Sequence, residues 1–276
     1  MQGSLEGENY MKRIRKIKLN KTTRNCLIVI GILLVLLSAM RIFMILEEDR
    51  IARAEAATLI DIVDNVLGED GSIVTEEEKE LKLSGKSYSE LLEINSDFVG
   101  WLSFKSGLVN QPVVQSRDNV FYLTHSFFGK KSSIGTAFLD YNQNLDMQNI
   151  TIYGHLVYRD NTLMFSPLQK LVNQANYDAN RYFSFSTETE VRNYEVAIVF
   201  YYDVEEDAYT LPYYYGSFDE ETFNQYVQHA KEKQFYETGV KLTYEDSIIT
   251  LQTCVQGKEN LRLIIVGKLI SVEPMD

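Results

Sequence analysis

A mainly β domain, an antiparallel barrel or sandwich with a few peripheral helices, preceded by one membrane-crossing helix, is the architecture predicted for this chain of 276 residues. Three observations carry that expectation. Residues 26–46 form an apolar run of 21 residues broken only by Ser38 and Arg41, long enough as a helix to cross about 30 Å of hydrocarbon. Beyond residue 99 the pattern turns to short runs rich in β-branched and aromatic residues, bounded by turn formers. Helical patterns interrupt these runs only twice, too rarely for a strand–helix–strand alternation.

Taken in order, residues 1–24 form a basic tail with Lys12, Arg13, Arg15, Lys16, Lys18, Lys21 and Arg24 against Glu6 and Glu8. Positive charge on this flank of the apolar run, 25–46, places the tail in the cytoplasm and the rest of the chain outside the cell. A cleaved secretory signal shares the same basic-then-apolar pattern. The length of the run favours an uncleaved anchor, as does the absence of a small-x-small site directly after it. The nearest such triplet, Ala52-Arg53-Ala54, lies in a charged, helix-like stretch. Arg41 near the outer end can snorkel to the headgroups without further role.

Residues 47–86 read as a stalk. An amphipathic helix over 47–67 is followed by an acidic, turn-rich segment over 68–80. The globular domain is expected at 87–276, its first helix opening on a capping box at Ser87-Tyr88-Ser89-Glu90. Strands are then predicted at 99–104, 112–115, 136–139, 149–153, 182–186, 191–202, 247–253 and 261–272, with helices at 163–172 and 219–237. The net charge of -12 conceals +5 over residues 1–24 and -17 over the remainder, which argues against nucleic acid as a partner of the outer part.

The chemistry concentrates in few residues. Of two cysteines, Cys26 lies at the cytoplasmic edge of the span, so Cys254 is the lone thiol of the outer domain and no disulfide is expected there. It ends Thr250-Leu251-Gln252-Thr253-Cys254, at the close of an apolar run. Among three histidines, His155 ends a second run, Ile150 to Tyr153 followed by Gly154. Arg262 interrupts Leu261-Leu263-Ile264-Ile265, where alternation points it to the Cys254 side. A strand-end thiol, an imidazole to carry protons and a cation to stabilise negative charge form the set an acyl-transferring cysteine needs. The alternative for Cys254 is a buried structural thiol; for His155, a loop histidine; for Arg262, a stem covering apolar surface. Free Cys and His titrate near about 8.5 and 6.5, and whether the pair sits as thiol and imidazole or as an ion pair stays open. His125 is assigned no chemistry, and His229, in a helical pattern among Tyr226, Lys231 and Lys233, reads as a surface residue. No spacing suggests a metal site or a phosphate-binding loop, and no cofactor is expected.

Over residues 87–271 the chain resembles sortases, the membrane-anchored cysteine transpeptidases of Gram-positive bacteria, and class B in particular. The resemblance is carried by Thr250-Leu251-Gln252-Thr253-Cys254, by Tyr153-Gly154-His155 and by Arg262. Stretches 95–101 (NSDFVGW), 111–122 (QPVVQSRDNVFY), 135–140 (GTAFLD) and 236–239 (YETG) also look like class B. It implies an eight-stranded β-barrel with peripheral helices, an extra N-terminal helix and a helical insertion before the cysteine strand. It also implies His155, Cys254 and Arg262 as the catalytic set. Leu156, where class B usually has Asn, Gln252, where Ser is common, and Val255, where many relatives are polar or acidic, are departures. With Thr253, Tyr213 and Tyr214 they are the residues expected to contact substrate.

The implied reaction cleaves a sorting-signal peptide after Thr through a thioester on Cys254 and passes the acyl group to a peptidoglycan precursor amine, or to a pilin lysine in polymerising relatives. Two rivals share the features: a cysteine peptidase in which water resolves the thioester, and an inactive membrane-tethered binding module on the same scaffold.

Overall fold

The structure, a computed structural model, describes residues 20–65 and 83–275. The expected acidic segment over 68–80 and the basic residues before residue 20 lie outside them. The chain divides into two compact units, Met1–Arg50 and Ile51–Asp276.

Helix α1, Lys21–Asn65, runs through the unit boundary. Its first part is the one helix among the described residues long and apolar enough to cross a membrane, with mean hydropathy 2.7 in its most apolar window. Glu47 and Arg50 pair at 2.6 Å on its surface. The last turns, from Ile51 on, carry an apolar stripe: Leu59 and Val63 are buried, whereas Ile51 is 43% exposed.

In the second unit eight strands close a barrel in the order β1-β2-β3-β4-β7-β8-β6-β5. They are β1 Phe98–Phe104, β2 Asn110–Val114, β3 Ala137–Leu139, β4 Asn149–Tyr153, β5 Tyr182–Ser186, β6 Glu190–Asp203, β7 Ile248–Val255 and β8 Lys258–Pro274. Each predicted run became a strand because β-branched and aromatic side chains fill a pleated surface well. The interior is packed with Leu102, Phe104, Val113, Ile150, Ile152, Phe185, Leu251, Leu263 and Ile265, all at most 1% exposed. The barrel is not purely antiparallel as expected: β2 pairs β3 and β4 pairs β7 in parallel. Neither pairing joins strands by a tight hairpin, so local turn signals do not reveal it.

Besides the end of α1 and a single helical turn at Tyr177–Asn180, two helices flank the barrel among the described residues. Helix α2, Gly85–Ile94, starts two residues before the expected cap: Ser84 is the N-cap, and its hydroxyl accepts from the Ser87 amide. Ser87 is itself buried in the first turn, so the Ser87 capping box does not form. Helix α3, Glu220–Lys233, is capped by Asp219, with Glu220 and Glu221 in its first turn and Lys231 and Lys233 in its last. That arrangement complements the helix dipole. It ends before residue 237 because Gln234 turns extended and bridges Phe200 of β6. The helix predicted at 163–172 is a 3-10 segment, Ser166–Val172, with Pro167 in its opening turn.

Residues of the expected stalk enter the packing. Leu59, Val63 and Leu83 share one buried cluster with Tyr88, Leu91, Phe98, Trp101 and Phe127. Trp101 is the only tryptophan of the chain, so its fluorescence reports that cluster. Leu59→Ala should destabilise the domain by about 2–5 kcal/mol, the usual cost of emptying a buried leucine site, and Ile51→Ala should stay within about 0.5 kcal/mol. Urea unfolding followed by Trp101 emission checks both; equal midpoints would show that α1 does not contribute to the core.

Candidate active site

The site is assembled by strand register. Strands β4 and β7 run parallel, from Asn149 opposite Ile248 to Tyr153 opposite Gln252, and the Gly154 amide extends the ladder by donating to Gln252 O at 3.0 Å. His155 and Cys254 each stand two residues beyond the last pair, at the same end and in the same phase. Their side chains therefore leave on one face. On the other side of β7, antiparallel β8 places Arg262 directly opposite Cys254, and side chains so paired share a face. The order His155, Cys254, Arg262 thus follows the strand order β4, β7, β8.

All three are half-buried. The Cys254 carbonyl accepts from Gln169 Nε2 at 3.0 Å, which fixes the backbone under the thiol, and the ladder with β8 shifts register just after it, between Cys254 and Val255. Arg262 Nη1 donates to Glu259 O at 2.7 Å and Leu261 O at 3.0 Å. Among the described residues no carboxylate lies within ion-pair distance of it. A guanidinium held by neutral carbonyls keeps its charge available to an anion.

His155 Nε2 lies 2.8 Å from Leu123 O. A carbonyl only accepts, so Nε2 carries the proton and Nδ1 is the nitrogen left to gain or lose one. Two glycines make this geometry possible. Gly135 has φ +68°, and a Cβ there would meet Tyr122 O at 2.4 Å, His155 Cδ2 at 3.0 Å and Leu123 O at 3.1 Å. A Cβ on Gly154 would strike the Phe165 ring at 2.4 Å, and Phe165 is fully buried. The glycine of Tyr153-Gly154-His155 is therefore a packing requirement.

The expected substrate-contact residues separate by burial. Thr253 and Val255 are 1% and 5% exposed and Leu156 9%; Val255 packs in the barrel core, and the buried Thr253 hydroxyl makes no hydrogen bond among the described residues. Gln252 is half-buried and accepts from the Tyr213 hydroxyl at 2.9 Å. Tyr213 is buried and Tyr214 is 40% exposed. Burial and the neighbouring Tyr202 push the Tyr213 phenol well above its ordinary range, so it is a neutral donor. Asn149 Nδ2 donates to Tyr213 O at 2.7 Å and Tyr215 O at 2.8 Å, and Gln143 Nε2 to Tyr214 O at 3.0 Å. The tyrosine run is thereby clamped to β4 by its backbone.

His125 and His229 are half-buried, their Nδ1 atoms each 2.9 Å from a backbone carbonyl, of Phe121 and Thr210 respectively. Among the described residues no cluster of three or more His, Cys, Asp or Glu side chains could hold a metal. Leu123 and Gln169 were not foreseen. Leu123 acts through its carbonyl and leaves no side-chain signal, and Gln169 is one of many glutamines until the fold places it beneath Cys254.

An eight-stranded barrel with a thiol, an imidazole and a guanidinium at adjacent strand ends is the arrangement of the sortases. The comparisons narrow this. The chain is 34% identical over 215 residues to sortase B of Listeria monocytogenes, across 75% of this chain and 84% of that relative. It matches the structure of Clostridium perfringens sortase B with a TM-score of 0.60 and 31% identity, covering 66% of this chain and 99% of that one. The Staphylococcus aureus sortase B–substrate complex matches in fold with a TM-score of 0.68 at 23% identity, over 82% and 99% of the two chains. No protein-family profile matches the chain. The chain belongs to the class B sortases, a family of cysteine transpeptidases.

Gly135→Ala and Gly129→Ala separate strain from collision. Both positions have positive φ, but Gly129 faces open space. Each should lose about 1–2 kcal/mol for the left-handed backbone, and only Gly135→Ala should also lose peptide turnover, because its methyl meets the Leu123 carbonyl and His155. Equal turnover in the two folded variants would show that the contact between Gly135 and His155 has no bearing on activity.

Proposed function

We propose that this chain cleaves the C-terminal sorting signal of a surface protein at a Thr carbonyl and transfers the new acyl end to an amine. The observation that carries it is the register alignment of His155, Cys254 and Arg262 across β4, β7 and β8. In this reading Cys254 Sγ gives its proton to His155 Nδ1 and bonds to the carbonyl carbon. Arg262 stabilises the oxyanion or the peptide carbonyl beside it. The imidazolium, steadied by Leu123 O, returns the proton to the leaving amine as the C–N bond breaks, leaving a thioester. An incoming amine then attacks, the C–S bond breaks, and the proton passes back through His155 to the thiol.

The peptide is proposed to run past Gln252, Tyr213 and Tyr214. Leu156, Thr253 and Val255 shape that groove from beneath, since their side chains are buried. An extended peptide gains little selectivity from backbone contacts alone, so side-chain pockets must supply it. The clamped tyrosine run offers rigid amphipathic surface for that purpose. The acceptor is proposed to be an amine of a cell-wall precursor, with a pilin lysine as the second reading. The apolar part of α1 supports a single-pass anchor, with the N-terminus in the cytoplasm and the catalytic unit outside.

Cys254→Ala should form no acyl-enzyme by intact-mass spectrometry while melting with the parent protein. Arg262→Lys retains charge but loses the planar donor fork, and turnover should fall on the order of 100-fold. A lysine variant that keeps near-parental turnover would remove Arg262 from the mechanism. Products formed with and without an added amine separate transpeptidation from hydrolysis.

A further inference from the structure

The imidazole of His155 is held between two loops, and the last turns of α1 are tied to both. The first loop supplies Leu123 O and is closed by Thr136 N donating to Tyr122 O at 3.0 Å, Ser132 N to Thr124 O at 3.0 Å and Ser126 N to Lys130 O at 2.8 Å. The second follows His155 itself. Phe165 N donates to His155 O at 3.1 Å, Val157 N donates to Ser166 Oγ at 2.7 Å, and Asp160 sits at its tip, accepting from the Thr162 amide at 2.9 Å and hydroxyl at 2.6 Å.

We propose that Arg53 of α1 is a positioning residue for His155. The Arg53 guanidinium pairs with Asp160, whose side chain is 8% exposed. Two residues on, the Glu55 carboxylate, 17% exposed, lies 3.5 Å from Lys130 Nζ. Arg53 thus grips the loop that follows His155, while Glu55 faces the other loop by charge alone, and in both pairs the carboxylate is the shielded partner. The Thr162 hydrogen bonds and Arg53 hold the Asp160 carboxyl down to about 2, so that pair is charged throughout the working range.

A second observation agrees. Ala52, Glu55 and Ala56 face Ser126, Gly135 and Met164 across a cavity of about 50 Å³. Met164 lies in the His155 loop, is 6% exposed, and is the only non-glycine residue with positive φ among the described residues, at 53°. A side chain holds that backbone only where its surroundings impose it, and the helix forms one wall of those surroundings. The segment that leads out of the proposed anchor therefore sets the loop that carries the proton-transfer group. Small displacements there matter, because a misplacement of about 1 Å can cost on the order of 100-fold in rate.

The inference rests on His155 acting as the acid and base. Its test uses the full chain in detergent, with kcat and KM for a sorting-signal peptide counted per titratable Cys254 thiol. The variants are Arg53→Asp, Asp160→Arg, the double exchange of the two, and His155→Ala. Each single charge reversal should lower kcat by about 10-fold with KM within about twofold, and the double exchange should recover at least about half of the parental kcat. A merely structural role would lower the melting temperature and leave kcat per thiol unchanged, and that result overturns the proposal. So does a double exchange no better than either single variant. An active His155→Ala enzyme would overturn the assignment of His155 itself, a failure distinct from that of the clamp.

Discussion

The parallel pairing of β4 with β7 is the constraint on which the site depends. Two strands that run the same way deliver their C-terminal ends to the same edge of the barrel. Each leads to one of the proposed catalytic residues, His155 or Cys254, two positions past the last ladder pair. Were the pairing antiparallel, His155 and Cys254 would lie at opposite ends of the strands, about 15 Å or more apart. Arg262 arrives by the complementary device, a hairpin that folds β8 back on β7 so that it lies directly opposite the thiol. Three residues distant in sequence thus share one face without any of them having to reach.

Around that frame the chain uses backbone groups more than side chains to hold the chemistry in place. Leu123 lends a carbonyl to His155, and the Cys254 carbonyl is held by Gln169. The tyrosine run is held by three of its own carbonyls through Asn149 and Gln143. Asn149 is fully buried and its remaining oxygen accepts from Thr250 Oγ1 at 2.9 Å, so its hydrogen-bonding capacity is satisfied within the barrel wall. Buried amides that are so satisfied rigidify what they touch. Close approach then requires glycine at 135 and 154, where a methyl would collide with the Tyr122 carbonyl or the Phe165 ring.

Much of this was legible in the sequence. The eight apolar runs became the eight strands, and the Cys254 and His155 strand ends were visible as apolar runs that stop at a reactive residue. Arg262 was placed by simple alternation. What was hidden depends on non-local pairing. No local signal marks β4 and β7 as parallel neighbours, since about 95 residues separate them. The helix start at Ser84 was missed because Ser87 offers an equally good cap in isolation, and only the burial of Ser87 in the first turn decides between them. Thr253 and Val255 read as substrate-contact residues from their place beside Cys254, and their burial, which only the closed barrel decides, puts them beneath that surface. Leu59 and Val63 read as a stalk because their burial depends on a barrel face formed by residues far along the chain.

The central claim is that strand register brings the imidazole of His155 into proton-transfer reach of the Cys254 thiol. Its most direct test is the pH dependence of Cys254 alkylation by iodoacetamide, compared between the parent protein and His155→Ala, with Cys26 replaced by Ser in both. An imidazole that takes up the thiol proton changes how the alkylation rate responds to pH. The account predicts a rate profile in the parent that differs from that of the variant. Superimposable profiles in two folded proteins would contradict it.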